Sequence, residues 1–111
     1  MIEINISDHQ QVTLVEVSGR VDSMNANELG SAISHQVTGG HVRLVLDLSH
    51  VEYMSSAGLR EIVVGLKATK RASGDLRIAQ PSDRVREVLE MSGLDSILNI
   101  YESQSAAITS Y

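Results

Sequence analysis

Two adjacent hydroxyls and a glycine are the groups of this 111-residue chain best placed to do chemistry. They lie in the stretch Val51-Glu52-Tyr53-Met54-Ser55-Ser56-Ala57-Gly58-Leu59-Arg60. An apolar run from Val42 to Leu48 precedes the stretch and reads as a buried strand; helical periodicity follows it. The serines therefore fall where a helix begins. Unpaired backbone N–H groups point outward there and the helix dipole is positive, so the place suits a phosphate. Two roles are compatible with it: a hydroxyl that receives a phosphoryl group, and a helix cap worth about 1 kcal/mol. One hydroxyl can serve both at different times.

Enzymatic patterns are missing around these serines. There is no glycine-rich loop with a lysine to cradle a nucleotide and no GxGxxG turn. The segment Ser55-Ser56-Ala57-Gly58 lacks the glycine that a nucleophile elbow needs two residues before its serine. A serine–histidine–aspartate triad is a matter of geometry. His9, His35, His41 and His50 fall in expected loops or on a helix surface, and none of their spacings is HxxxH or HxH. No catalytic residue, no metal site and no cofactor is therefore expected, and the chain reads as a non-enzyme. Asp47 ends the central strand, where open α/β sheets place functional carboxylates. The favoured reading is that it accepts hydrogen bonds in the turn Asp47-Leu48-Ser49.

The framework that must position the serines is built from aliphatic residues. Trp and Phe are absent, and Tyr53, Tyr101 and Tyr111 are the only aromatics. So few rings leave no platform for stacked bases. The net charge is -5 and no basic cluster is longer than Lys67 to Arg71, so a nucleic-acid backbone would be repelled. Cysteine is absent, which removes disulfides and thiolate metal sites. The N-terminal Ile2-Glu3-Ile4-Asn5-Ile6 alternates instead of forming a signal peptide, and no apolar run approaches the roughly 20 residues of a membrane span. The expectation is one domain over residues 1–111, cytoplasmic, with no membrane or nucleic-acid partner.

Element order follows from periodicity and breakers. Ile2 to Ile6 reads as a strand with one wet face, Ser7 to Gln11 as a polar turn, and Val12 to Val17 as a second strand paired with the first as a hairpin. Gly19-Arg20-Val21-Asp22-Ser23 leads into a helix capped by Asp22, Ser23 or Asn25 and carrying Leu29, Ile33 and Val37 on one face; Gly39-Gly40 ends it. The run Val42 to Leu48 is apolar enough to be buried on both faces, hence central. A second helix is expected from about Ser56 to Ser73 with Gly74 as its C-cap. A strand over Leu76 to Ala79 follows, then a third helix started by Pro81 and Ser82 or Asp83 and stopped by Gly93. A last strand near Ile97 to Ile100 and a short helix over Ser103 to Thr109 complete the chain. The fold class is α/β: a mixed, mostly parallel sheet of about five strands, with an N-terminal antiparallel hairpin and four helices.

With these elements in place, the chain resembles STAS domains, and more specifically the bacterial anti-sigma factor antagonists. The family pattern is an apolar strand, Asp-Leu-Ser, a spacer, an aromatic–apolar pair, then Asp-Ser-Ser/Thr/Ala-Gly-Leu. Here it reads Leu44 to Ser49, then Val51-Glu52-Tyr53-Met54-Ser55-Ser56-Ala57-Gly58-Leu59, and Gly19-Arg20-Val21-Asp22 matches the family's Gly-x-hydrophobic-Asp turn. The resemblance implies partner switching. An unphosphorylated antagonist binds a serine-kinase anti-sigma factor and frees a sigma factor; phosphorylation of the acceptor serine releases it, and a PP2C-type phosphatase reverses the change. It places the acceptor at Ser56, with Ser55 as the alternative, and the partner-binding surface at Asp22, Ser23, Met24, Met54, Ser55, Ser56, Ala57, Gly58 and Arg60. Ser55 stands where the family usually has Asp. The alternative function is a constitutive STAS scaffold of a signalling or transport-associated complex, without phosphorylation.

Overall fold

Alternating isoleucines at the N-terminus and β-branched residues after Gln11 form a hairpin. A computed structural model describes all of residues 1–111. In it β1 (Ile2–His9) pairs antiparallel with β2 (Val12–Val21), from Ile2 opposite Gly19 to His9 opposite Val12. The expected turn over Ser7 to Gln11 shrinks to Gln10 and Gln11, with Gln10 at φ 63°. Ser7, Asp8 and His9 are polar, yet they extend the ladder because β1 is an edge strand whose side chains reach water. Helix α1 (Ala26–Thr38) follows, then β3 (Arg43–Met54), α2 (Ser56–Arg71), β4 (Asp75–Ala79) and α3 (Asp83–Met91). A single 3-10 turn (Leu94–Ser96), β5 (Ile100–Tyr101) and α4 (Gln104–Thr109) complete the chain.

The sheet order is β1-β2-β3-β4-β5, and every pair after the hairpin is parallel. This is the mixed five-stranded, four-helix architecture anticipated above. The α1, α2 and α3 helices cover one face, burying Leu29, Ile33, Ile62 and Leu89 against Val15, Leu44, Leu46, Leu48 and Ile78. The short α4 alone packs on the other face, where Ala107 meets Val12, Leu14, Val45 and Ala79. No helix is long and apolar enough to cross a membrane.

Beyond the hairpin turn, other boundaries differ from the expectation for physical reasons. The β2 strand runs past Val17 to Val21, because Gly19, Arg20 and Val21 stay paired with β3. The β3 strand continues six residues past Leu48, because its pairing with β2 absorbs two irregularities, between Glu16 and Ser18 and between Gly19 and Arg20. The α2 helix stops at Arg71, and Ser73, at φ 66°, takes the left-handed position expected of Gly74. Gly74 is needed for another reason: a Cβ there would strike the Val42 carbonyl oxygen. The last strand is only Ile100–Tyr101, since Leu98 turns into the core while Ile97 stays exposed at the 3-10 turn.

Candidate functional site

The serine turn is placed by the parallel pairing of β2 with β3. Val21 lies opposite Met54, and the ladder runs one step further, where the Ser55 N–H donates to the Val21 carbonyl at 2.9 Å. The α2 helix starts immediately afterwards. Ser55 is its N-cap, in an extended conformation, and its Oγ accepts the Gly58 N–H at 3.3 Å. Ser56 is the first helical residue. It is exposed, and its hydroxyl has no hydrogen-bond partner within the chain. The two neighbouring hydroxyls are thus physically distinct: one is engaged by the backbone and half-buried, the other is free in solvent. The first turn of α2 holds no acidic side chain to complement the positive end of its dipole.

Gly58 closes the turn from below. A Cβ there would collide with the Met54 sulfur and lie 2.7 Å from Val21 Cγ1. The helix start can sit on the strand ends only if this position has no side chain. On the flank, the Arg20 guanidinium stacks over the Tyr53 ring at 4.5 Å from its centroid, an arrangement that keeps Tyr53 half-buried.

The loop from β2 to α1 lies beside the serines because it leaves β2 at the residue to which Ser55 is bonded. Asp22 Oδ1 accepts the N–H groups of Met24 at 3.0 Å and of Asn25 at 3.2 Å. Asn25 occupies the N-cap position of α1, but its side chain turns backwards: Oδ1 accepts the Asp22 N–H and Nδ2 donates to the Arg20 carbonyl, both at 2.9 Å. Asp22 therefore satisfies the helix start and Asn25 closes the loop.

Of the residues singled out in the sequence, Ser23, Met24, Ser56 and Arg60 are exposed at this end of the sheet, and Asp22, Ser55 and Ala57 are half-buried there. Met54 and Gly58 require correction as surface residues. Met54 is only 3% exposed and belongs to the main core, and Gly58 is buried over it. Both shape the surface from beneath. The sequence reading missed the clamp role of Asn25. Its trace was present in the spacing Asp22-x-x-Asn25, two Asx side chains able to bond each other's backbone.

Asp47 lies within β3, not in a turn, and is 3% exposed. Its Oδ1 accepts the Ser49 N–H at 2.9 Å, and its Oδ2 accepts the amides of Gln80 at 3.0 Å and of Gln104. The Gln104 amide also donates to Glu16 at 3.0 Å. Burial pushes the Asp47 carboxyl up, but the bonds from Gln104, Ser49 and Gln80 outweigh it and hold the carboxyl below its ordinary range. Its Oδ2 fixes α4 and the β4–α3 connection to β3 while its Oδ1 holds the local backbone at Ser49, which makes it a structural anchor. The four histidines are exposed, and no cluster of His, Asp and Glu could hold a metal ion.

The STAS domain family model covers residues 3–107, and the chain belongs to that family. Among its relatives is BtrV of Bordetella bronchiseptica, described as a candidate anti-sigma factor antagonist. It is 38% identical over 95 residues, covering 86% of this chain and 82% of that protein. The anti-sigma-B factor antagonist of Listeria monocytogenes is 33% identical over 100 residues, with 89% and 86% covered. The crystal structure of an anti-sigma factor antagonist from Mycobacterium paratuberculosis superposes with a TM-score of 0.90 at 29% identity, over 99% of this chain and 93% of that one.

Proposed function

We propose that this chain is a non-enzymatic anti-sigma factor antagonist, a single cytoplasmic STAS domain that switches partners through Ser56. The observation that carries the reading is the contrast between the two serines: Ser55 is committed to the Gly58 N–H, and Ser56 is exposed with a free hydroxyl. The unphosphorylated form binds a serine-kinase anti-sigma factor through Asp22, Ser23, Met24, Ser55, Ser56, Ala57 and Arg60, supported by Met54 and Gly58. In the kinase site the Ser56 Oγ attacks the γ-phosphorus of ATP. The Oγ–P bond forms as the bond to the β–γ bridging oxygen breaks, ADP leaves, and the hydroxyl proton passes to a base of the kinase. A PP2C-type phosphatase returns the serine by hydrolysis.

The switch needs little change of fold. A phosphoserine carries about -1.5 to -2 charges near neutral pH, and the positive end of α2 tolerates it. Against a close-packed partner the same charge must be desolvated. A loss of about 3 kcal/mol weakens a complex by roughly two powers of ten. The test is incubation with ATP and the anti-sigma-factor kinase of the same genome, followed by mass spectrometry and a binding assay. Phosphate on Ser56, its absence in Ser56→Ala, and weaker binding of Ser56→Asp are the expected results. A second reading, a constitutive STAS scaffold in a signalling or transport-associated complex, draws on Ser55, which replaces the family's carboxylate with a plain cap. Absence of phosphate on both serines, together with unchanged binding by Ser56→Asp, would decide for it.

A further inference from the structure

The four residues between β2 and α1, Asp22 to Asn25, are more firmly held than their contribution to the core requires. Asn25, 8% exposed, places its buried amide against the Asp22 N–H and the Arg20 carbonyl, while the Asp22 carboxylate takes the N–H groups of Met24 and Asn25. The Ala26 N–H adds a backbone bond to the Asp22 carbonyl at 2.9 Å. What this bracing presents outward is Ser23 and Met24, and Met24 is 87% exposed. The loop is tied in turn to the acceptor turn, because Val21, the residue before Asp22, accepts the Ser55 N–H. A rigid backbone that holds out a flexible, polarisable side chain is pre-organised for binding: the ordering cost is met in the free protein, and the thioether adapts to an irregular apolar recess.

Resting on the reading of Ser56 as part of a partner-binding surface, we propose that Met24 is the anchor residue that selects the partner and that Asn25 is its positioning residue. The partner surface that fits is an apolar recess, sized for an unbranched side chain, next to the site that receives the Ser56 hydroxyl. Asn25 makes no contact with the partner in this scheme; it acts through Met24.

The test is a double-mutant cycle on the full chain, with affinity for the purified anti-sigma-factor kinase of the same genome as the readout and thermal unfolding as the control. Met24→Ala is expected to weaken binding by about tenfold or more with unchanged melting, as for a central interface anchor. Asn25→Ala is expected to weaken it about fivefold or more, and by less than about twofold once residue 24 is already alanine, because coupled residues are not additive. If Asn25→Ala fails to fold, Asn25→Ser, which keeps a small polar side chain and adds no charge beside the Asp22 carboxylate, enters the same cycle. Met24→Ala binding like the wild type while Ser56→Asp binds weakly would overturn this proposal alone, as would fully additive effects of positions 24 and 25. No binding by the wild-type chain would remove the underlying reading and this proposal with it.

Discussion

Ser55 accepts the Gly58 N–H at 3.3 Å, and Ser56 is exposed, so substitutions at the two positions separate stability from modification. Ser55→Ala removes the cap of α2 and is expected to lower the unfolding free energy by about 1 kcal/mol. Phosphate uptake at Ser56 should persist. Ser55→Asp accepts the same N–H and adds a negative charge to a helix start that has none, so it is expected to raise stability by about 0.3–1 kcal/mol at low salt. Urea midpoints measured with and without added salt check both signs; an Ala variant as stable as the wild type would contradict the cap.

The elements meet closely where α2 lands on the ends of β2 and β3. Gly58→Ala drives a Cβ into Val21 and Met54 and is expected to cost about 1–3 kcal/mol, read from denaturant unfolding. Much of this scale was readable in advance. The alternation Ile2, Ile4, Ile6, the apolar run through Leu48, the leucine spacing of α2 and the serine caps of α3 and α4 all sit where periodicity and capping chemistry place them. Ser82 settles the start of α3, taking the Val85 N–H at 3.3 Å, and Ser103 takes that of Ala106 at 3.0 Å. The extension of β3 was hidden because Ser49, His50 and Glu52 break the apolar run and the pairing irregularities break the period of two. The two-residue β5 is too short to carry any period. At the site, the serine turn was readable from its neighbours in sequence, but the burial of Met54 was not, since it depends on Val21, thirty-three positions away, lying opposite it.

Across the whole molecule, two buried carboxylates tie the minor helix and the strand ends to the sheet. Burial raises Asp75, and the Arg77 side chain, the Leu76 N–H and the nearby Lys70 charge outweigh that rise, so it too lies below its ordinary range. Tyr111 donates its hydroxyl between the carbonyls of Leu44 and Asp75, at 2.7 Å from each, and burial and the Asp75 charge push its own ionisation far up. A carboxyl depressed in the folded state stabilises the fold fully above its unfolded pKa, near 3.8, and the contribution is lost as pH falls through the lower folded value. Asp47→Asn is therefore expected to destabilise the chain by about 1.5–3 kcal/mol at pH 7. The difference from the wild type should shrink below pH 4 as the wild-type carboxyl takes up its proton. Urea titrations at pH 7 and pH 3 check this; a gap of equal size at both values would contradict it.

The two irregularities of β3 also govern which way its side chains face. In β2 the inward residues keep to odd numbers, Val15, Val17 and Val21, while in β3 they run Leu46, Leu48, Val51, Met54. Each unmatched residue reverses the parity of everything after it, and the second reversal cancels the first. A deletion between Leu48 and Met54 that kept both irregularities would turn Met54 toward water and rotate the serine turn off its footing; one that removed an unmatched residue together with its irregularity would leave Met54 opposite Val21 and facing inward. The length of this segment thus carries information that its composition does not, much as a reading frame does.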